Sequence, residues 1–422
     1  MSDTPFGFAL PGGTPDPNDP QQMAAFLSQL QQFFVAPGSG PVNWDLAKQV
    51  ATTQLGGTDP SPSEADRSAL YEALHLADLW LDPVTVLPSG IRSSKLWTRR
   101  EWIEATLPVW QKLCDPVAGR MVDAMSTLVP DELRGQLGPM SAMVTSLGGA
   151  MFGGQLGGAL AQLAGEVQSS SDIGLPLGPA GVAALIPANI AGLADELELP
   201  ADQVRLYIAL REAAHQRLFN HVPWLRGHVL TAVETYAQGI TVNRQAVEDA
   251  LGRIDPTNPE SMQELTFEGV FAPEDSPSQR AALVRLETSL ALIEGWVTHV
   301  VSLAVADRLP ENARLAEAFF RRRAEGGPAE QTFAALVGLE LRPRRLREAG
   351  TLWEALRSHR GTDGRDAVWN HPDMLPSADD FEDPDTFAAG TVLDLGELGF
   401  DLDDKPADKP DESTDKPTDD TD

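Results

Sequence analysis

The chain has little of what marks a secreted, disulfide-braced or membrane-spanning protein. A single cysteine, Cys114, among 422 residues excludes a disulfide framework, an all-thiolate zinc site and an iron–sulfur cluster. Only three tyrosines and a lack of long alternating β-branched runs argue against an extensive sheet. No lysine stands between Lys112 and Lys405, so most of the chain lacks the lysine of a phosphate-binding loop. The start, Met1-Ser2-Asp3-Thr4-Pro5-Phe6-Gly7-Phe8, has neither the basic residues nor the apolar run of a signal peptide. The longest uncharged stretch, between Arg134 and Glu166, holds nine glycines plus Gln155 and Gln162. That is a poor match to a span of about 20 apolar residues. These absences predict a cytoplasmic protein with no membrane partner.

What is present in excess is negative charge. Against 32 Lys and Arg stand 62 Asp and Glu, a formal net charge of −30. Half of it lies between Asp373 and Asp422, where 18 acidic residues face 3 basic ones. The remaining 372 residues are still acidic, and like charge opposes non-specific binding to nucleic acid or anionic lipid. At 42% hydrophobic residues, the body has the composition of an ordinary globular core. The sequence divides into a flexible N-terminal arm over 1–39, with a short amphipathic helix at 21–36, a helical domain over 40–372, and a disordered acidic tail over 373–422.

The body reads as mainly α. Ser61-Pro62-Ser63-Glu64 has the form of a capping box with proline at the first helical position and opens a helix to about Leu81. Thr98-Arg99-Arg100-Glu101 opens another through Trp102, Trp110 and Leu113. Further helices are expected from Pro200 to Phe219, from Pro223 to about Tyr236, after Asn243, and from Ser276-Pro277 to about Leu309. Gly149, Gly153, Gly157, Ala161 and Gly165 recur every fourth residue. On a helix they form a smooth stripe that admits close packing of another helix. The arginines from Arg321-Arg322-Arg323 to Arg342, Arg344, Arg345 and Arg347 read as a solvated face or as partners for the chain's own acids.

Seven histidines occur: His75, His215, His221, His228, His299, His359 and His371. Two segments near them carry chemistry. In Leu210-Arg211-Glu212-Ala213-Ala214-His215, Glu212 and His215 occupy the glutamate and second-histidine positions of the helical zinc motif H-E-x-x-H. Arg211 stands where the first histidine would be. In Leu292-Ile293-Glu294-Gly295-Trp296-Val297-Thr298-His299, Glu294 sits in an apolar run, so its burial requires a partner or a metal. Five residues separate Glu294 from His299, which places them about 140° apart around a helix.

Taken in order, Gly154-Gln155-Leu156-Gly157, Asp172-Ile173-Gly174-Leu175-Pro176, Tyr207 to His215, Val222-Pro223-Trp224-Leu225, Ile293-Glu294-Gly295-Trp296, Gly338-Leu339-Glu340-Leu341 and Trp369-Asn370-His371-Pro372 resemble one family. It is the actinobacterial zincin-like hydrolases, labelled zinc-dependent metalloproteases, with a subgroup associated with deazaflavin cofactor biosynthesis. The resemblance runs from Phe6 to about Pro384. It implies a zincin-like helical domain, a zinc cofactor and a peptide or protein substrate. It also implies Glu212 as general base and His215 and Glu294 as metal ligands; beside the resemblance, His299, His221 or His228 could supply a further ligand after a rearrangement. Arg211 departs from the pattern. A guanidinium has no lone pair to give a metal and repels a cation. Two expectations follow. Either a shifted ligand set keeps zinc and hydrolase activity, or an ion pair of Arg211 with Glu294 or Glu212 takes the metal's place and leaves a pseudoenzyme that binds or scaffolds.

Overall fold

The computed structural model describes residues 40–127, 138–242, 271–273, 277–324 and 345–390, apart from positions 58, 239 and 307. The expected arm with its helix at 21–36, the helix after Asn243, Gly338-Leu339-Glu340-Leu341 and the chain beyond Gly390 lie outside the described residues. Within them the fold is mainly α, as the composition predicts. In chain order run α1 (Trp44–Leu55), α2 (Glu64–Leu81), β1 (Ser93–Leu96), α3 (Arg99–Thr127), α4 (Gly138–Glu166) and β2 (Val182–Leu185). Next come α5 (Pro187–Leu197), α6 (Ala201–His221), α7 (Leu225–Gln238), β3 (Ile240–Val242) and β4 (Phe271–Pro273). The last are α8 (Pro277–Val305), α9 (Asn312–Ala324), α10 (Leu346–Ala367) and α11 (Pro384–Ala389). β1 and β2 pair in parallel, and β3 and β4 antiparallel.

Helix starts follow side-chain chemistry. Thr98 and Glu101 form the anticipated reciprocal cap, the Thr98 amide donating to Glu101 Oε2 (2.8 Å) and the Glu101 amide to Thr98 Oγ1 (3.1 Å). The cap of α2 sits two residues later than Ser61 predicts. Ser63 is the N-cap, and Asp66 closes the box from the third helical position. Aspartate reaches back as well as glutamate does, and Pro62 stays outside the helix.

The glycine stripe is a packing surface. A Cβ on Gly153 would lie 2.4 Å from the Asn43 carbonyl oxygen, and one on Gly157 2.4 Å from that of Ala47. α1 therefore rests directly on the α4 backbone, an approach that offsets the roughly 1 kcal/mol each helical glycine costs.

α6 and α8 pack against each other and fill the centre. From Tyr207 to Phe219 every residue of α6 is buried, polar ones included. α8 is long and apolar enough to cross a membrane by length and composition, but most of it is buried inside this fold, against α6, α7 and α10. Gly295 allows this, because a Cβ there would stand 2.7 Å from Ala349 Cβ on α10.

The expected boundary at 372 falls inside folded chain. A short 3-10 turn at Pro372–Met374 packs on the one at Val368–Asn370, and another at Asp379–Phe381, then α11, pack on α10. Phe381 and Ala388 are buried, Arg345 bonds Glu382 and the Ala378 carbonyl, and Arg360 donates to the carbonyls of Phe387 (2.6 Å), Ala388 (2.8 Å) and Gly390 (2.9 Å). Six acids of the presumed tail thus belong to the body. Composition alone hid this, because the few anchors among them are aromatic or backbone groups.

A carboxylate bridged by arginine and histidine

α6 presents Tyr207, Arg211 and His215 one turn apart, and successive turns of a helix share a face. α8 lies across that face and brings Glu294 to it. Arg211 Nη2 stands 2.5 Å from Glu294 Oε2, and His215 Nε2 stands 2.9 Å from Glu294 Oε1. One carboxylate therefore joins two side chains of the facing helix. Arg211 also reaches Thr298 Oγ1 at 3.4 Å and lies over the Phe319 ring of α9, 5.2 Å from its centroid. Tyr207 packs on the same ring at 5.3 Å. Burial raises the Tyr207 phenol above its ordinary ionisation range, and the neighbouring guanidinium partly opposes that.

Both ring nitrogens of His215 face oxygen atoms. Nδ1 lies 2.9 Å from the Arg211 carbonyl oxygen. That oxygen only accepts, so Nδ1 carries a hydrogen and Nε2 is the atom turned toward Glu294. A backbone carbonyl orienting one imidazole nitrogen so that the other faces a partner is also the arrangement found behind metal-bound histidines. Here the partner is a carboxylate oxygen.

Glu212 points away from this bridge. It accepts from Ser170 Oγ (2.5 Å), the Ser171 amide (3.1 Å) and Gln216 Nε2 (2.9 Å). The donors from Ser170 and Ser171 belong to the segment between α4 and β2. That segment begins as an extra antiparallel partner of β2, with the Ser170 amide donating to Ala184 (2.9 Å) and the Ile186 amide to Gln168 (2.9 Å). It then turns over the centre of the fold. Gly174, at φ +76°, sits on Glu294, and a Cβ there would be 2.8 Å from Oε1. The Asp172-Ile173-Gly174-Leu175-Pro176 text thus encodes a roof. Under it Glu212 is 0%, His215 1%, Glu294 1% and Arg211 5% exposed.

The structure brings Arg211, His215 and Glu294 together and leaves His299 elsewhere. His299 faces α10, its Nδ1 3.6 Å from Glu354, in keeping with the angular offset from Glu294. His228 bonds Ser289 at 3.2 Å, and exposed His221 bonds the Ser89 carbonyl at 2.9 Å. None of the three joins Glu294 as a third ligand. Among the described residues no group of three or more His, Cys, Asp or Glu side chains is placed to hold a metal ion. The donor set at the bridge is one imidazole and one carboxylate already shared with a guanidinium, which does not fit a catalytic zinc with three protein ligands.

Two further buried networks escaped the sequence. Arg217 of α6 ties to Asp78 Oδ1 (2.8 Å), Asp82 Oδ1 (2.6 Å) and the Leu87 carbonyl (2.7 Å). Asp366 accepts from Arg365, Thr85, the Val86 amide and Trp296 Nε1. Their partners are far apart in sequence, so no local pattern announces them. Of the arginine-rich stretch, Arg321 pairs with Glu317 (2.8 Å), Arg322 with Glu166 (3.1 Å) and Arg345 with Glu382, while Arg347 stacks on Phe320 at 4.0 Å. Cys114 is fully buried, and burial pushes its thiol well above the ordinary range, so it behaves as a small apolar residue.

Residues 42–388 match the family model described as zincin-like metallopeptidase. No curated protein matches the chain. Among solved structures, that of "a putative hydrolase with a novel fold" from Chloroflexus aurantiacus superposes with a TM-score of 0.58 at 23% identity, covering 82% of this chain and 97% of that one. At that identity the likeness concerns the fold.

Proposed function

The chain belongs to the zincin-like metallopeptidase family, and we propose that it is a non-catalytic member, a binding or scaffold module for a peptide or protein partner. The observation that carries this reading is the bridge itself. Glu294, placed by the family resemblance as a metal ligand, spends both oxygens on Arg211 and His215. The guanidinium stands where a metal-binding imidazole would, and its permanent charge joins α6 to α8 as an ion would have done. Glu212, in the general-base position, has no access to bulk water and is held by three donors. A base in that state is committed to structural hydrogen bonds rather than to a reacting proton.

The reading is tested by Arg211→His. Returning an imidazole to the first position beside His215 and Glu294 completes a three-ligand set. The variant is expected to bind zinc tightly in a titration in which the wild type does not. Tight zinc binding by the wild type, or none by a folded variant, overturns the pseudosite.

A further inference from the structure

In a chain of net charge −30, a stretch outside the arginine-rich 321–347 region also has the opposite character. From Pro83 to Arg100 there is no acidic residue, and Arg92, Lys95, Arg99 and Arg100 are basic. β1 runs through the middle of it. The parallel register pairs Ser93 with Val182 and Leu96 with Leu185, and the amides of Ser93 and Trp97 donate to Gly181 and Leu185. In a parallel pair alternate residues face the partner strand. Ser93, Lys95 and Trp97 therefore turn to β2, and the amides and carbonyls of Ser94 and Leu96 turn away from it. Among the described residues nothing pairs with that edge. The side chains of Arg92, Lys95 and Arg100 are exposed and form no ion pair among the described residues. β2's other edge is already taken by residues 168–170. An unpaired strand edge beside free cations is a template for an extended acidic segment.

The chain carries such a segment. Residues 391–422 hold 12 acidic and 3 basic residues. Within them Leu398, Phe400 and Leu402 alternate with Gly399, Asp401 and Asp403, the period-2 pattern of a strand with one apolar and one polar face. Their point of departure is suitable. Gly390 is held by Arg360 of α10, and Asp366 of the same helix holds Thr85 and Val86, which lead into β1. Thirty-two residues extend up to about 100 Å, ample to cross from one to the other.

We propose that the outer edge of β1 is the docking site for the protein's own acidic C-terminal segment, with residues around 398–403 adding as a strand and their carboxylates meeting Arg92, Lys95 and Arg100. The segment then guards the edge from other extended acidic peptides.

Amide hydrogen exchange of the full chain, read at Ser94 and Leu96, tests this. In the wild type both amides are expected to exchange slowly. In a full chain carrying Leu398→Ser, Phe400→Ser and Leu402→Ser they should exchange at least tenfold faster, with the helices unchanged, and a synthetic peptide of residues 391–404 should restore the slow rate. Charge reversal at Arg92 and Lys95 should raise the peptide concentration needed severalfold. Equal exchange in the wild type and the tail variant overturns the proposal. So does protection that depends on protein concentration, which assigns the edge to a second copy, or protection lost on Phe6→Ser with Phe8→Ser, which assigns it to the N-terminal arm.

Discussion

Glu294 Oε2 lies 2.5 Å from Arg211 Nη2 at the buried crossing of α8 and α6. Charges removed from water this completely are held by each other, and losing one strands the rest.

Arg211→Ala should therefore cost about 3–5 kcal/mol of unfolding free energy. The double change Arg211→Met with Glu294→Leu should cost clearly less than the single, because it leaves no lone buried charge. Urea unfolding of the double variant and of its two single changes, Arg211→Met and Glu294→Leu, should give a coupling energy of at least about 1 kcal/mol; strict additivity would mean the two groups do not act as a pair.

Glu212→Gln keeps the shape and removes acceptor capacity. Its new NH2 must face one of three donors, from Ser170, Ser171 or Gln216. A loss of about 1–3 kcal/mol is predicted, together with faster exchange at the Ser171 amide. A neutral outcome would show that this carboxylate does not anchor the roof.

Two glycines make a matched pair. Gly174→Ala meets both a left-handed backbone and the Glu294 carboxylate 2.8 Å away, and should destabilise by about 1–3 kcal/mol. Gly192→Ala, exposed in α5 with nothing within 4 Å, should stabilise by up to about 1 kcal/mol. Thermal unfolding separates them, and a reversed order would contradict the placement of the roof.

His299 gives a pH dependence. Burial, with Arg365 adding to it, lowers its pKa to about 4 from 6.5. Between those values the unfolded chain binds the extra proton and the folded chain does not, so stability rises with pH across that window. Falling from pH 6.5 toward 4 should lose stability on the order of 3 kcal/mol from this residue. His299→Phe should flatten that part of the profile; an unchanged slope would place the proton elsewhere.

The sequence was legible where the signal is local. Thr98 and Glu101 announced their cap, the four-residue glycine spacing announced a close helix contact without naming its partner, and the angular offset between Glu294 and His299 kept them on different faces. The pairing of Arg211 with Glu294 was readable as one of two options, since a guanidinium beside a carboxylate in an apolar run has few alternatives. The roof over the site was not readable. Its hold on Glu212 comes from the Ser171 amide and the Ser170 hydroxyl, which carry no periodic pattern. The folded stretch after Asp373 was hidden by its acids, because Phe381 and the carbonyls that Arg360 binds are too sparse to outweigh them in composition.

The central claim is that a guanidinium has replaced a metal. It is tested most directly by the zinc content of the untagged wild-type chain after growth in zinc-supplemented medium and exhaustive dialysis. The account predicts well under one equivalent per chain, with no gain on adding zinc. One tightly held equivalent, lost together with Glu294→Gln, would contradict it.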